Sequence, residues 1–501
     1  MSPTSAPPFV RPSAGSGRIG VSDCPGRRAP DDRGRSLEAG LDADLDALAA
    51  WGATAVVSLM SPAELAAPGV AALGAGVEAR NMDWLALPVA DSDLPDAPFE
   101  TAWATAGEGL RARLRDGADI LVHGLVNADR PATLAARLMV ELGTAPGQAI
   151  AAIGAAVGSA MGAARPDAIL SAAQIAHVAG TAPAEEPSPD RGSAARRDRA
   201  IGALLGLAVG DAVGTTLEFE RRDDRAPRLT DMLGGGPFGL KPGEWTDDTA
   251  MALALAESLR ARPTLDERDL MNRFVNWYRH GAHSCTGTCF DIGNTVRGAL
   301  DRFTRTGNPI AGETHAHAAG NGSLMRLAPV AVRHWHDAQR RRDVAARQSR
   351  TTHGAAEAVD ACVLYADLLA EAIAGVPRSA VMRPRSEPYA GRIGPIARGG
   401  WRGKPRAQVR GSGYVADALE AALWCVGRTA DFRGAVLMAA NLREDADTTA
   451  AIAGQLAGAL YGAAGIPPAW RAAVAWRETI EALAAGLFEA GEAESGAEMR
   501  F

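Results

Sequence analysis

The sequence predicts a two-part protein: an N-terminal α/β unit, a mostly parallel sheet with flanking helices, followed by a larger compact all-α unit. Three observations predict this. Short apolar runs alternate with helical patterns in the first part, the order that gives a parallel sheet. A stretch rich in Pro, Ala, Ser and charge, TAPAEEPSPDRGSAARR, cannot bury a core and divides the chain. Beyond it, Ala- and Leu-rich segments of helical period succeed one another. The expected layout is 1–180 as the α/β unit, 181–197 as linker, 198–485 as the helical unit and 486–501 as a frayed tail.

In the first unit, TAVVSLM (Thr54–Met60), WLALPV (Trp84–Val89) and DILVHG (Asp119–Gly124) are strand candidates. LDADLDALAAWG and PFETAWATAGEGLRARLRDG read as helices that stop at a glycine, and RPATLAARLMVELG as a third. In the second unit seven segments carry helical spacing, from RAIGALLGLAVGDAVGTTLE to ADTTAAIAGQLAGALYGAAG. Small residues at every third or fourth position let such helices approach closely. The stretch from Pro377 to Gly413 is rich in Arg, Gly and Pro and is expected to be irregular.

Composition narrows the function. The chain has 501 residues, 47% of them hydrophobic, and a net charge of −7 with no long run of one sign. No nucleic-acid surface is signalled. No unbroken apolar run reaches membrane-span length, and the first residues lack the apolar core of a secretory signal. Five scattered cysteines predict a reducing, cytoplasmic setting. Cys285 and Cys289 lack a second pair to complete a zinc site, and the nine histidines form no close ligand pair beyond His315 and His317.

The chemistry concentrates in two stretches. GEWTDDTAM (Gly243–Met251) sets Thr246, Asp247 and Asp248 at the start of an apolar helix. Asp and Thr are ordinary helix caps, so this stretch alone signals only a cap. Some two hundred residues on, NLREDADTTAAIAG repeats the theme with Asp445, Asp447 and Thr448. A cap needs one oxygen, and each stretch offers three. Carboxylates packed together repel unless a cation sits among them. An all-oxygen set suits Mg²⁺, Mn²⁺ or Ca²⁺. Two ions sharing carboxylates are the natural arrangement.

From these stretches outward, the chain resembles the ADP-ribosylglycohydrolases. The likeness covers roughly Arg199 to Trp470 and rests on an ordered set: GLAVGDAVGTTLEF, GEWTDDTAM, DIGNTVRGAL, GNGSLMRLAPVAV, THGAAEAVDA, GYVADALEAALWC and DADTTAAIAGQLAGALYG. The resemblance implies a compact all-α fold with two Mg²⁺ ions (Mn²⁺ possible) in a cleft. It implies hydrolysis of the bond joining ADP-ribose C1″ to a protein side chain or small molecule. Thr246, Asp247, Asp248, Asp445, Asp447 and Thr448 look like the metal ligands, with Asp247 and Asp447 central to catalysis. Glu218 matches an acid that guards the metal centre or positions water, and Asp211 one that holds that region. Asn321, Gly322 and Ser323 look like a loop cradling the diphosphate, though Asn-Gly is also a common turn. His353 is similar to a residue lying against the phosphates; a buried structural histidine is the other reading. Asp291 is read as capping or orienting its helix. The family usually has glycines before the last Asp-x-Asp. Here Arg443 and Glu444 stand there, with bulk and charge expected at the cleft rim.

The first unit resembles the cysteine-dependent dual-specificity and tyrosine phosphatases. DILVHGLVNADRPATLAARLMVELG has their strand, loop and helix, with His123 and Arg130 in place. CPGRR (Cys24–Arg28) and the Asp91 region add to the likeness. Gly124 stands where the nucleophilic cysteine would be, and glycine offers no thiolate to attack phosphorus. Asp129 beside the anion position repels phosphate. The resemblance therefore implies a pseudophosphatase. Two alternatives to a glycohydrolase stay open from sequence: a non-catalytic ADP-ribose sensor and a two-metal phosphoesterase.

Overall fold

The structure is a computed structural model and describes residues 6–26, 40–65, 71–80, 82–89, 94–125, 128–161, 169–222 and 226–498. Asp91, Arg28 and Asn127, all invoked in the phosphatase resemblance, lie outside the described residues. The chain forms two units, Met1–Pro187 with Arg402–Arg406, and Ser188–Trp401 with Ala407–Phe501.

The first unit holds a small mixed sheet: β1 (Phe9–Val10), β2 (Ile19–Ser22), β3 (Ala53–Ser58), β4 (Asp83–Ala86) and β5 (Asp119–His123). Its order is β1-β2-β5-β3-β4, parallel except for the β1–β2 pair. The three strands expected from sequence are β3, β4 and β5. The first two went unread because four residues between Pro- and Gly-rich stretches carry no periodicity. Alternation along β3 and β5 sends Ala55, Val57, Ile120 and Val122 into one apolar layer and Val56 and Leu121 into the other. Helices Ala97–Arg115 and Asp129–Glu141 cover the first face, and Leu41–Trp51 the second.

The second unit is helical throughout, built around Ser193–Gly214 and Ala446–Tyr461. These two helices touch along a seam of small residues. A Cβ on Gly202, Gly206, Gly210 or Gly214 would sit 2.2–2.3 Å from a carbonyl oxygen of Gly458, Gly454, Ala450 or Ala446. The seam is reciprocal, since a Cβ on Gly454 would lie 2.1 Å from the Gly206 oxygen. Only glycine permits that approach. The span Ser193–Leu217 is long and apolar enough to cross a membrane, yet 94% of its apolar window is buried within the protein, as a core helix.

Two boundaries differ from the sequence expectation. Helix begins at Ser193, inside the expected linker, and Arg477–Glu498 is one continuous helix where a tail was expected from 486. Its apolar face, with Ile480, Leu483, Leu487 and Phe488 buried, continues past that point. Its glutamates meet partners: Ser193 donates to Glu492 at 2.6 Å, Arg197 pairs with Glu489 at 2.9 Å, and Arg333 pairs with Glu494. Charge that reads as solvated tail is here one side of an amphipathic helix. The Pro377–Gly413 stretch is largely irregular, with short helices at Arg378–Val381 and Ile393–Ala397.

Candidate active site

The glycine seam decides where the acids meet. It lays the C-terminal end of Ser193–Gly214, followed by Glu218, against the first turn of Ala446–Tyr461. Glu218 Oε2 then accepts the backbone N–H groups of Ala446 at 2.7 Å and Asp447 at 3.2 Å. Asp211, one helical face away, accepts from the backbone N–H and hydroxyl of Thr246 at 2.9 and 3.0 Å. It also takes those of Thr249 at 3.0 and 2.6 Å. Both helix N-termini are thus satisfied from outside. Thr246 and Asp445 occupy the N-cap positions of Asp247–Ala261 and Ala446–Tyr461, and neither makes a side-chain cap bond. The Asp and Thr side chains of the two stretches are therefore not spent as N-caps.

They converge. Carboxylate oxygens of Asp211, Asp248 and Asp447 lie within 4.8 Å of one another, as do those of Glu218, Asp445 and Asp447. Thr246 Oγ1 is 3.2 Å from Asp248 and 3.3 Å from Asp447, and Thr448 Oγ1 is 3.4 Å from Asp248. Asp248 Oδ1 is buried and bonded to no protein group. Burial, then Asp447, pushes the Asp211 and Asp445 carboxyls up to about 7. Burial, then the neighbouring acids, drives Asp247, Asp248 and Glu218 well above the usual carboxylate range. A divalent cation among these oxygens reverses all of these shifts, because opposite charge favours the carboxylate. An orphaned oxygen, an all-oxygen donor set and mutual repulsion together fit a metal centre with hard ligands. Asp447 is common to both acid groups.

A cleft of about 1140 Å³ opens over the acids, lined among others by Glu218, Asp247, Asn321, Asp445, Asp447 and Thr448. Thr246 and Asp248 lie beneath it, fully buried. Asn321 donates to Asp445 Oδ2 at 2.7 Å, tying the Asn-Gly turn to the acids. Gly322 lies on the ring of His353: a Cβ there would stand 2.9 Å from Cε1 and 3.2 Å from Nε2. Thr352 Oγ1 accepts from Arg326 at 2.9 Å and lies 2.8 Å from His353 Nδ1. Burial and the Arg326 charge push His353 down to about 3, so the ring is neutral at physiological pH.

The sequence profile of the ADP-ribosylglycohydrolases matches residues 192–496, more than half of the chain and the whole of this cleft. The chain belongs to the ADP-ribosylglycohydrolase family. An ADP-ribosylarginine hydrolase of Pseudomonas putida is 47% identical over 322 residues, covering 62% of this chain and 86% of its own. The ADP-ribosyl-[dinitrogen reductase] glycohydrolase of Rhodospirillum rubrum is 35% identical over 288 residues, covering 54% and 89%. A solved ADP-ribosylglycohydrolase-related protein complex aligns at TM-score 0.52 and 41% identity, over 59% of this chain and 99% of that one. The protein is a glycohydrolase that reverses ADP-ribosylation.

In this glycohydrolase two sequence readings change. Ser323 does not line the cleft: its hydroxyl is buried, 2.9 Å from that of Ser349. The spacing of GNGS could not reveal this, because a turn residue can face either way. Arg443 is not at the rim either. It is buried, pairs with Glu220 and donates to the Pro227 carbonyl at 3.1 Å. Arg443 and Glu444 adopt φ of 62° and 65°, the left-handed backbone that glycine would take most easily. Glu444 alone lines the cleft. An aromatic chain at the cleft was not legible from sequence. Phe219 and Phe238 meet edge-on at 6.1 Å, Phe238 and Phe290 at 5.2 Å, and Phe219 is 66% exposed at φ 60°. Asp291 also lines the cleft. Burial and the Asp447 and Asp247 charges raise its carboxyl to about 11.

Proposed function

We propose that this glycohydrolase cleaves the N-glycosidic bond between ADP-ribose C1″ and arginine side chains of modified proteins, with a pair of Mg²⁺ ions as cofactor and Mn²⁺ as substitute. The observation that carries the metal reading is that oxygens of Thr246, Asp247, Asp248, Asp445, Asp447 and Thr448 converge beneath the cleft while Glu218 and Asp211 serve the two helix N-termini, with Asp248 Oδ1 left without a protein partner. The acceptor reading is supported by the arginine-directed relative at 47% identity.

Bound there, the ions would supply Lewis-acid stabilisation of ribose oxygens and of charge at the breaking bond. The chain's own residues do the rest. Asn321, Gly322 and His353 form the wall on which the diphosphate rests. Glu218 lines the cleft beside Asp447, placed to exchange a proton with water or the leaving guanidine. Negative charge around the cleft stabilises an oxocarbenium-like transition state. Full-length protein incubated with ADP-ribosyl-arginine and Mg²⁺ should release ADP-ribose and arginine, and chelator should stop it. ADP-ribosyl-serine turned over in preference would overturn the acceptor assignment.

For the first unit we retain the pseudophosphatase reading. β5 ends at His123, whose ring is committed to Ser58 at 2.7 Å, and Gly124 follows. Arg130 stands 3.7 Å from Glu64. Full-length protein should show no turnover of an aryl phosphate. A cytoplasmic setting is supported by five free cysteines.

A further inference from the structure

Arg326 is fully buried, and among the described residues no carboxylate forms an ion pair with its guanidinium; Asp247 acts on it only from a distance. Nε donates to Gln348 Oε1 at 3.0 Å, Nη1 to the Gly322 carbonyl at 3.2 Å, and Nη2 to the Gln348 carbonyl at 3.0 Å and Thr352 Oγ1 at 2.9 Å. Below lies the Phe274 ring, 4.6 Å from the guanidinium carbon. Every acceptor is neutral. Three other buried guanidiniums of this unit are paired with acids, Arg333 with Glu494, Arg341 with Asp367 at 2.8 Å and Arg385 with Glu371 at 2.8 Å, while Arg199, like Arg326, is held by backbone carbonyls. Hydrogen bonds satisfy the donors of Arg326 without cancelling its charge. A buried, uncompensated charge is expensive and so requires a reason.

Its position supplies one. Two of its bonds end on the cleft wall: on Gly322 directly, and on Thr352, which holds His353. The field of Arg326 is felt at that wall, since it helps keep His353 unprotonated. A low-dielectric layer between charge and cleft preserves the field that water would screen.

The geometry points to Arg326 as a positioning residue that also electrifies the wall: its unpaired charge, behind Gly322 and His353, draws the diphosphate of the substrate onto that wall without touching it. Burial lowers the guanidinium only to about 9, so the charge is present at neutral pH. The inference rests on the ADP-ribose reading of the cleft for the identity of the anion.

Gln348 offers a test that leaves Arg326 in place. Gln348→Glu puts a carboxylate against Nε and cancels the charge. Gln348→Met loses the same amide bonds, including that to the Ser323 carbonyl at 3.0 Å, without adding charge. Calorimetric titration of full-length protein with ADP-ribose, and separately with inorganic pyrophosphate, should show Gln348→Glu binding each at least about tenfold more weakly than Gln348→Met, the scale of one added charge at this depth. Melting temperature should not fall further in Gln348→Glu than in Gln348→Met. Equal affinities in the two variants would overturn the proposal. If Gln348→Glu does not fold, Arg326→Lys against Arg326→Gln decides: the lysine variant should retain pyrophosphate affinity that the glutamine variant loses, and equal values would sink the idea. Should wild type bind pyrophosphate but neither bind nor release ADP-ribose, the functional reading fails while the charge test stands.

Discussion

Glu218 and Asp447 are joined by a bond that reverses the usual economy of a helix cap: the glutamate, distant in sequence, accepts the backbone N–H of the aspartate at 3.2 Å. The acid at the head of the helix is thereby freed to face another acid. Asp447 has carboxylate neighbours on both sides, Asp211 and Asp248 on one and Glu218 and Asp445 on the other. Asp447→Asn should therefore act in opposite directions on function and on the metal-free fold. Turnover of ADP-ribosyl-arginine should drop at least about 10³-fold, as when a central catalytic group is lost. In chelator the variant should melt at or above wild type, because one repelling charge is gone. Adding Mg²⁺ should then raise the wild-type melting point, by up to about 3 kcal/mol of stability at a hundred times the dissociation constant, and barely move the variant. A variant less stable than wild type in chelator would show that Asp447 is structural.

The seam that creates this meeting point has no slack. A Cβ on Gly206 would approach the Gly454 carbonyl to 2.3 Å, and one on Gly454 would approach the Gly206 carbonyl to 2.1 Å. Gly206→Ala should destabilise the protein by about 3 kcal/mol through forced separation of the two helices. The same separation draws Glu218 away from Asp447, so residual folded protein should bind metal weakly. Urea unfolding with parallel metal titration measures both. A silent substitution would mean that the helices are further apart than described.

Much of this was legible in the sequence, and the limits have physical causes. Thr246, Asp247, Asp248, Asp445, Asp447 and Thr448 announce themselves because acids and hydroxyls crowd two helix starts beyond what a cap requires. The glycines at 202, 206, 210 and 214 announce close packing. What a linear text cannot give is the direction of a side chain in a turn, hence the error at Ser323. Nor can it show that Arg443 finds Glu220 across more than two hundred residues and turns away from the rim. The helix through 486–498 was missed because glutamates that meet Arg197 and Arg333 look like a solvated tail when those partners are unseen.

Ser323 and Asn321 separate cleanly by experiment. Ser323→Ala removes a buried hydroxyl bonded to Ser349 and should cost about 1 kcal/mol of stability while leaving KM for ADP-ribosyl-arginine within about twofold. Asn321→Ala removes a donor to Asp445 from the cleft wall and should raise KM or abolish metal binding at nearly unchanged stability. Steady-state kinetics beside thermal melts distinguish the two. A serine variant with wild-type stability and impaired KM would return Ser323 to the cleft.

In the first unit the ring of His123, at the end of β5, is held in a buried relay. Trp84 donates to Ser58 at 2.8 Å, Ser58 Oγ lies 2.7 Å from His123 Nε2, and His123 Nδ1 lies 3.2 Å from the Gly124 carbonyl. A neutral ring with its proton on Nδ1 satisfies the whole relay. Burial pushes His123 down to about 4 from the ordinary 6.5. The sign follows from linkage: above pH 6.5 neither folded nor unfolded chain protonates this ring, and its contribution to stability is complete. Between 6.5 and 4 the unfolded chain takes up a proton that the folded chain refuses, so stability falls with pH, by about 3 kcal/mol over the window. Hydrogen exchange of the β5 amides, corrected for intrinsic rate, should report that loss locally, apart from the buried His334 and His353 of the other unit. His123→Gln keeps an acceptor for Ser58 and a donor for Gly124 but does not titrate, so its β5 protection should stay flat through the same window. Parallel loss in the variant would assign the acid sensitivity to another group.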